Sequence, residues 1–185
     1  KLASCGKATT RMEVKIDSPD PQNVAGEIIC RGANLMLGYY KNPEATSQII
    51  DVNGWLHTGD LATIDIDGYV TVRGRSKNLL LTSSGQNIYP EEIESKLNNM
   101  PYVSESLIVL QNDKLVALVY PDFDDAFAHG LQQNDIANVM EENRKELNQL
   151  LPSYCQITKV KIHFEEFEKT AKKSIKRFMY QEAKG

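Results

Sequence analysis

A chain of 185 residues with 41% hydrophobic and 25% charged positions has ordinary globular composition, which excludes a disordered or fibrous protein and allows one large domain or two small ones. Its net charge of −4 argues against general nucleic-acid binding, and no apolar run approaches the roughly 20 residues that span a bilayer. Cys5, Cys30 and Cys155 lie far apart without metal-ligand or redox spacing, which suits buried or free thiols in a reducing compartment and gives a cytoplasmic expectation.

Met12, Val14 and Ile16 alternate with charged residues in RMEVKID, which predicts a half-buried strand before the turn-rich SPDPQ. GEIICRG predicts a second strand. In GYYKNPEATSQII the Pro43-Glu44 pair opens a short helix, and ATIDIDGYVTVRGR holds two alternating runs joined by Asp67-Gly68, a strong hairpin signal. Residues 1–74 therefore read as mostly β. From 75 the character changes. Pro90 stands at the first position of a helix, PEEIESKLNNM, with Ile93, Leu97 and Met100 on one face and acidic residues in the first turn. VSESLIVL and KLVALVYP flank Gln111-Asn112-Asp113 as a second hairpin. Asn134 or Asp135 is expected to cap a long helix in which Ile136, Val139, Met140, Leu147, Leu150 and Leu151 keep helical spacing until Pro152. ITKVKIHF alternates again, and Ile175, Phe178 and Met179 suggest a terminal helix. The pattern as a whole predicts an α/β (α+β) chain in two units, β-rich over 1–74 and α+β with a short sheet and flanking helices over 78–185, with the boundary in GRSKN, residues 74–78.

Nothing at the start resembles a signal peptide, and Lys1 stands where an initiator methionine would, so the chain is expected to be a segment of a longer one. Charge is segregated along it. Lys159, Lys161, Lys169, Lys172, Lys173, Lys176 and Arg177 form a basic patch, against an acidic run at residues 122–125. Within that patch TAKKSIKR, residues 170–177, carries four positive charges in eight positions, which are either a solvated face or include one catalytic lysine. GWLHTGDL, residues 54–61, raises a second choice. Asp60 follows a Thr-Gly pair at the head of a predicted strand. It is either a turn carboxylate that satisfies nearby backbone donors or a carboxylate placed to accept the hydroxyls of a ribose.

GYVTVRGRSKNLLLTSSGQNIYPEEIE, residues 68–94, resembles the segment that joins the two domains of acyl-adenylate-forming enzymes. With GEIICRGANLMLGYYKNPEAT upstream, the resemblance is to fatty acyl-CoA ligases and particularly to their long-chain group, over roughly residues 11–185. It implies two half reactions: a carboxylate attacks the α-phosphate of ATP to give acyl-adenylate and pyrophosphate, and the thiol of coenzyme A then displaces AMP. It further implies that 1–74 are the β-rich end of the large adenylating domain, 75–77 the hinge and 78–185 the mobile C-terminal domain. ATP, Mg²⁺ and coenzyme A would be the ligands of the whole enzyme, a fatty acid its other substrate, and the upstream large domain of the same chain its partner. Position by position, Asp60 resembles the ribose-binding carboxylate and Arg75 the arginine on the ribose and phosphate side, a sensible pair for a diol flanked by phosphate. Lys77 occupies the hinge position, with a plain linker lysine as the other reading. SSGQN, residues 83–87, resembles the loop that approaches the active site in the thioester-forming state, where Gly85 permits close backbone approach and Asn87 stands where some relatives carry a basic residue.

TAKKSIKR lies where this family has the pattern Thr-x-x-Gly-Lys-Ile-x-Arg with its adenylation lysine. Counting from Thr170 puts Lys173 at the glycine and Ser174 at the lysine. Either the loop shifts by one residue so that Lys173 or Lys172 reaches the phosphate, or the lysine is lost. Lys173 is the expected catalytic residue and Lys172 the second, while Lys176 and Arg177 are expected to face solvent behind the apolar anchor of Ile175, Phe178 and Met179. Two other readings stay open: an adenylation domain that loads a carrier protein, and a non-catalytic interaction domain using the basic patch 159–177. No glycine- and serine-rich phosphate loop and no acyl tunnel is legible, so the fragment is expected to be inactive alone. Acyl chain length, oligomeric state and membrane association are not legible either.

Overall fold

The alternating run at Met12–Asp17 forms strand β1, with Ile16 buried and Glu13, Lys15 and Asp17 exposed. It pairs antiparallel with β2 (Gly26–Gly32), β2 with β3 (Leu56–Ile64), and β3 with β4 (Val70–Arg75), giving a four-stranded sheet in the order β1-β2-β3-β4. Helix α1 (Pro43–Ile49) lies between β2 and β3 in sequence. It starts where the Asn42 side chain accepts the Ala45 amide, with Pro43 at a position that needs no donor. The β3–β4 turn is closed by Asp65, whose Oδ1 accepts the amides of Asp67 and Tyr69 at 3.0 and 2.9 Å, and by Gly68 at φ +85°. Ile16, Ala62 and Val70 form the core of this part. Trp55 is buried with the Lys15 ammonium and the Arg31 guanidinium 4.4 and 4.6 Å from its ring centre, so two cations shield one edge of the sheet's apolar surface.

The computed structural model describes residues 1–181. The chain divides into two compact units, the first over Lys1–Lys77 and the second from Asn78 onward. In the second unit β5 (Leu80–Leu81) and β6 (Asn87–Ile88) close the intervening loop. Helix α2 (Pro90–Leu97) starts at Pro90 and buries Ile93 and Leu97. Strands β7 (Val103–Gln111) and β8 (Lys114–Pro121) turn through Asn112 and Asp113, whose φ of +49° and +59° are the left-handed pair of a type I′ hairpin. After β8 come α3 (Phe123–Ala128) and α4 (Gln133–Leu150), then β9 (Lys159–Ile162), which lies parallel to β8 and completes the order β7-β8-β9. A parallel neighbour needs a crossover, and the two helices supply it.

Leu107, Ile108 and Val109 are all fully buried because both faces of this sheet are covered. Ile108, Leu115, Ala117 and Val119 pack with Ile93 and Leu97 of α2 and Ile136, Met140 and Leu147 of α4. Leu107, Val109, Val116 and Leu118 pack on the other side with Phe167, against which Ile175 and Tyr180 rest. The segment carrying TAKKSIKR is therefore the cover of the second face.

Two local expectations change, at the start of α4 and at the chain's end, and the acidic run gains a role. Helix α4 is capped at Gln132 rather than at Asn134 or Asp135; Asp135 sits three residues in and accepts the Gln132 amide at 2.8 Å. The acidic run contains a helix start, where Asp122 accepts the Asp125 amide at 3.0 Å and caps α3. No terminal helix forms among the described residues: Arg177–Met179 make only a 3-10 turn, with Phe178 and Met179 exposed and Ile175 alone reaching the core. None of the helices among the described residues is long and apolar enough to cross a membrane.

Candidate functional site

The first cluster grows out of an irregularity in β3. Its register against β2 runs from Glu27↔Leu61 to Ile29↔His57, so Thr58, Gly59 and Asp60 stand opposite the single residue Ile28. Asp60 is thus inside β3, within a bulge, and not at the head of the strand. On its other side it pairs with Arg75 of β4. Arg75 Nε lies 2.8 Å from Asp60 Oδ1, and the two side chains are 59% and 32% exposed. Arg75 Nη1 also donates to the Thr58 carbonyl at 3.3 Å. The Asp60 carboxylate takes no backbone amide, and its own N–H donates to Thr58 Oγ1 at 3.1 Å, so it does not do the work of a turn carboxylate. Among the described residues no donor reaches Oδ2. One oxygen is held and the carboxylate stays part-exposed, a geometry that can accept from a sugar hydroxyl while the guanidinium beside it favours a phosphate oxygen.

Lys77 is exposed in the 3-10 turn Ser76–Asn78 and is the last residue of the first unit. Gly85 takes φ +79° with open space where a Cβ would stand, and Asn87 is exposed in β6. The loop that carries Gly85 is tied down by Asp113 at the tip of the β7–β8 hairpin: Oδ1 accepts the Ser83 amide at 2.9 Å and Oδ2 the Ser83 hydroxyl. Those two hydrogen bonds, the hydroxyl first, hold the Asp113 carboxyl below its usual range. Sequence reasoning read Asp113 only as a turn residue.

The lysine stretch is a closed turn. Thr170 N–H donates to the Ser174 carbonyl at 2.8 Å, Lys173 N–H to the Thr170 carbonyl at 2.9 Å, and Ser174 N–H to Thr170 Oγ1 at 3.3 Å. Lys173 sits at φ +60°, a left-handed conformation that costs an ordinary residue about 1–2 kcal/mol and a glycine nothing. Lys173 thus holds a backbone conformation that glycine favours, with Ser174 next to it in the turn. The four charges separate into two kinds. Lys172 and Lys173 are exposed at the tip, with no ion-pair partner among the described residues. Lys176 lies 3.5 Å from Glu168, and Arg177 does not face solvent as expected but is mostly covered and paired with Glu94. Glu94 also accepts the Ile108 amide at 2.7 Å; its burial pushes the carboxyl up, against the pull of the Arg177 hydrogen bond. Lys169 is held by Glu105 at 2.8 Å and Glu166 at 3.3 Å, and Lys161 by Gln111 at 2.6 Å. Three of the seven basic residues of the patch, Lys169, Lys176 and Arg177, are thus paired with carboxylates of the same unit, while Lys161 meets only a neutral amide. Among the described residues no group of three or more His, Cys, Asp and Glu is placed to hold a metal ion.

Residues 77–183 match the AMP-binding enzyme C-terminal domain. A 2-succinylbenzoate–CoA ligase of Bacillus cytotoxicus is 40% identical over 117 residues, which take in 62% of this chain and 24% of that protein. A long-chain-fatty-acid–CoA ligase of Gallus gallus is 36% identical over 120 residues, 64% of this chain and 16% of that one. O-succinylbenzoate coenzyme A synthetase from Bacillus subtilis, solved in complex with AMP, is similar with a TM-score of 0.77 and 26% identity, over 99% of this chain and 36% of that one. The chain spans about a fifth of the length of these curated relatives, whose acids are both aliphatic and aromatic. Its mixed α/β fold and its sequence agree: the chain belongs to the AMP-binding, adenylate-forming enzymes, and residues 77–183 are their C-terminal domain.

Proposed function

We propose that the chain is the C-terminal part of an ATP-dependent, AMP-forming acid–CoA ligase whose acid is a long-chain fatty acid. The Asp60–Arg75 pair carries the first half of this reading, because it presents a part-exposed carboxylate and a guanidinium side by side just before the C-terminal domain begins. Similarity to the long-chain-fatty-acid ligase of Gallus gallus supports the second half. In this reading residues 1–74 end the large domain and the unit from 78 is mobile. Asp60 accepts the ribose hydroxyls and holds Arg75 toward the phosphate side. Lys77 absorbs the torsional change between half reactions, and Gly85 and Asn87 line the loop that nears the thiol's approach. Mg²⁺-ATP supplies the activated phosphorus and coenzyme A the thiol, both bound by the whole enzyme. Ser174 cannot supply a charge, so the exposed Lys173, with Lys172 beside it, brings an ammonium to the carboxylate and α-phosphate oxygens where negative charge gathers.

The test uses the full-length enzyme. Lys173→Ala should slow acid-dependent pyrophosphate exchange by about 10²–10³, the loss typical of one positioned electrostatic group, while supplied acyl-adenylate still reacts with coenzyme A. Exchange within a factor of a few in Lys173→Ala, Lys172→Ala and the double variant would return the stretch to a solvated face. A higher kcat/KM for aromatic acids than for long-chain fatty acids would overturn the acid and leave the ligase; no thioester from any acid would overturn both.

A further inference from the structure

The bulge that carries Asp60 has a chemical problem that the strands cannot solve. With three residues of β3 opposite one residue of β2, the backbone groups of the bulge lose their ladder partners. Side chains replace them. Thr58 Oγ1 donates to the Ile28 carbonyl at 2.8 Å and accepts the Asp60 amide, using both capacities of one hydroxyl. The Gly59 amide, at the crest of the bulge, donates to Glu27 Oε1 at 2.7 Å. Gly59 has φ +73°, while a Cβ there would meet nothing closer than Arg75 Nη1 at 3.8 Å, so the left-handed backbone and not a lack of room calls for glycine. The second oxygen of Glu27 is 2.9 Å from His57 Nδ1, on the residue that precedes the bulge. One carboxylate thus grips both flanks of the Thr58-Gly59 step, and Asp60 is the next residue.

We propose that Glu27 is a positioning residue for nucleotide binding: by sealing the β3 bulge through Gly59 and His57 it sets where the Asp60 carboxylate stands for the ribose. The inference rests on the reading of Asp60 as the ribose acceptor. Without the Glu27 carboxylate the Gly59 amide is left without its acceptor, the bulge relaxes toward a regular ladder, and such a relaxation turns alternate side chains to the opposite face. Asp60 then leaves Arg75 and the ribose together. Glu27→Gln keeps an acceptor for Gly59 and a polar partner for His57, so it should retain the geometry.

The experiment is calorimetric titration of the full-length enzyme with AMP and with 2′,3′-dideoxy-AMP, for wild type, Glu27→Ala, Glu27→Gln, Asp60→Ala and the Glu27→Ala/Asp60→Ala double variant. A misplacement of about 1 Å can cost 10²-fold, so Glu27→Ala should weaken AMP by about 10- to 100-fold, and Glu27→Gln by less than about threefold. The loss should be absent for the dideoxy nucleotide, and the double variant should bind AMP no more weakly than Asp60→Ala, the non-additivity expected of residues acting through one group. An equal loss for both nucleotides, or additive losses in the double variant, overturns the proposal and leaves Glu27 a structural residue. An Asp60→Ala enzyme that binds AMP as wild type does overturns the Asp60 reading instead. Should Glu27→Ala fail to fold, Glu27→Asp, which keeps the charge and withdraws its oxygens by one methylene, must show the same nucleotide dependence, and unchanged AMP affinity there overturns the proposal.

Discussion

Replacing Arg177 by methionine isolates the contact that holds the lysine-bearing segment on the second unit. Glu94 and Arg177 are 9% and 14% exposed at the side chain, so solvent screens the pair little, and removing one partner strands a nearly buried carboxylate. Breaking a buried pair in this way costs about 3–5 kcal/mol. Two features place the expectation near the lower end. The Ile108 amide still donates to Glu94, and Arg177 Nη1 is buried without a hydrogen-bond partner, so the native pair is not fully satisfied. A loss of about 3 kcal/mol is a large share of the roughly 5–15 kcal/mol that stabilises a domain. At about 4 °C per kcal/mol for a unit of about 100 residues it lowers the thermal midpoint of the second unit by about 12 °C. Glu94→Leu/Arg177→Met removes both charges and strands only the Ile108 amide, at about 1–3 kcal/mol, so it should be more stable than Arg177→Met alone. Thermal unfolding of the 185-residue chain, with hydrogen exchange at Ile108 to locate the loss, reads both. An Arg177→Met midpoint within about 2 °C of wild type, equivalent to roughly 0.5 kcal/mol, would refute the reasoning.

Lys77→Pro in the full-length enzyme should leave pyrophosphate exchange near wild type and slow thioester formation, because proline removes one of the two soft torsions of the hinge; equal loss in both steps would mean simple damage to the fold. The His57 imidazole titrates above its ordinary value, chiefly through its hydrogen bond to Glu27. Its contribution to stability is therefore complete below the unfolded value of about 6.5 and fades as pH rises through the raised one, so His57→Gln should flatten the pH dependence of unfolding above about pH 6.5, by a small amount given the 37% exposed side chain. An unchanged slope in urea titrations across that range would count against the Glu27 contact.

The sequence by itself determined what neighbours along the chain decide. Alternation over Met12–Asp17, the Asp67-Gly68 turn, the Pro90 helix start and the Asn112-Asp113 turn all act within a few residues, and each appears where the pattern puts it. Asp60 and Arg75 were legible only through a motif; their 2.8 Å pairing depends on how β3 and β4 align, and the bulge that aims Asp60 depends on β2, some thirty residues earlier. No local signal marks Glu27, His57 or Thr58 as its supports. The stretch 170–177 shows the same division more sharply. A run of cations reads as a wet surface, and two of its members are. Arg177 is drawn inside because Glu94, 83 residues away, lies buried under it and needs a cation. Lys173 adopts a glycine's backbone because Thr170, Ser174 and the Lys169–Ile175 bridge close the turn around it, and Ile175 packs that turn against the sheet. Composition and periodicity see a residue's own chemistry. Which charge is paired, and which is left to act, is settled only when distant segments share one core.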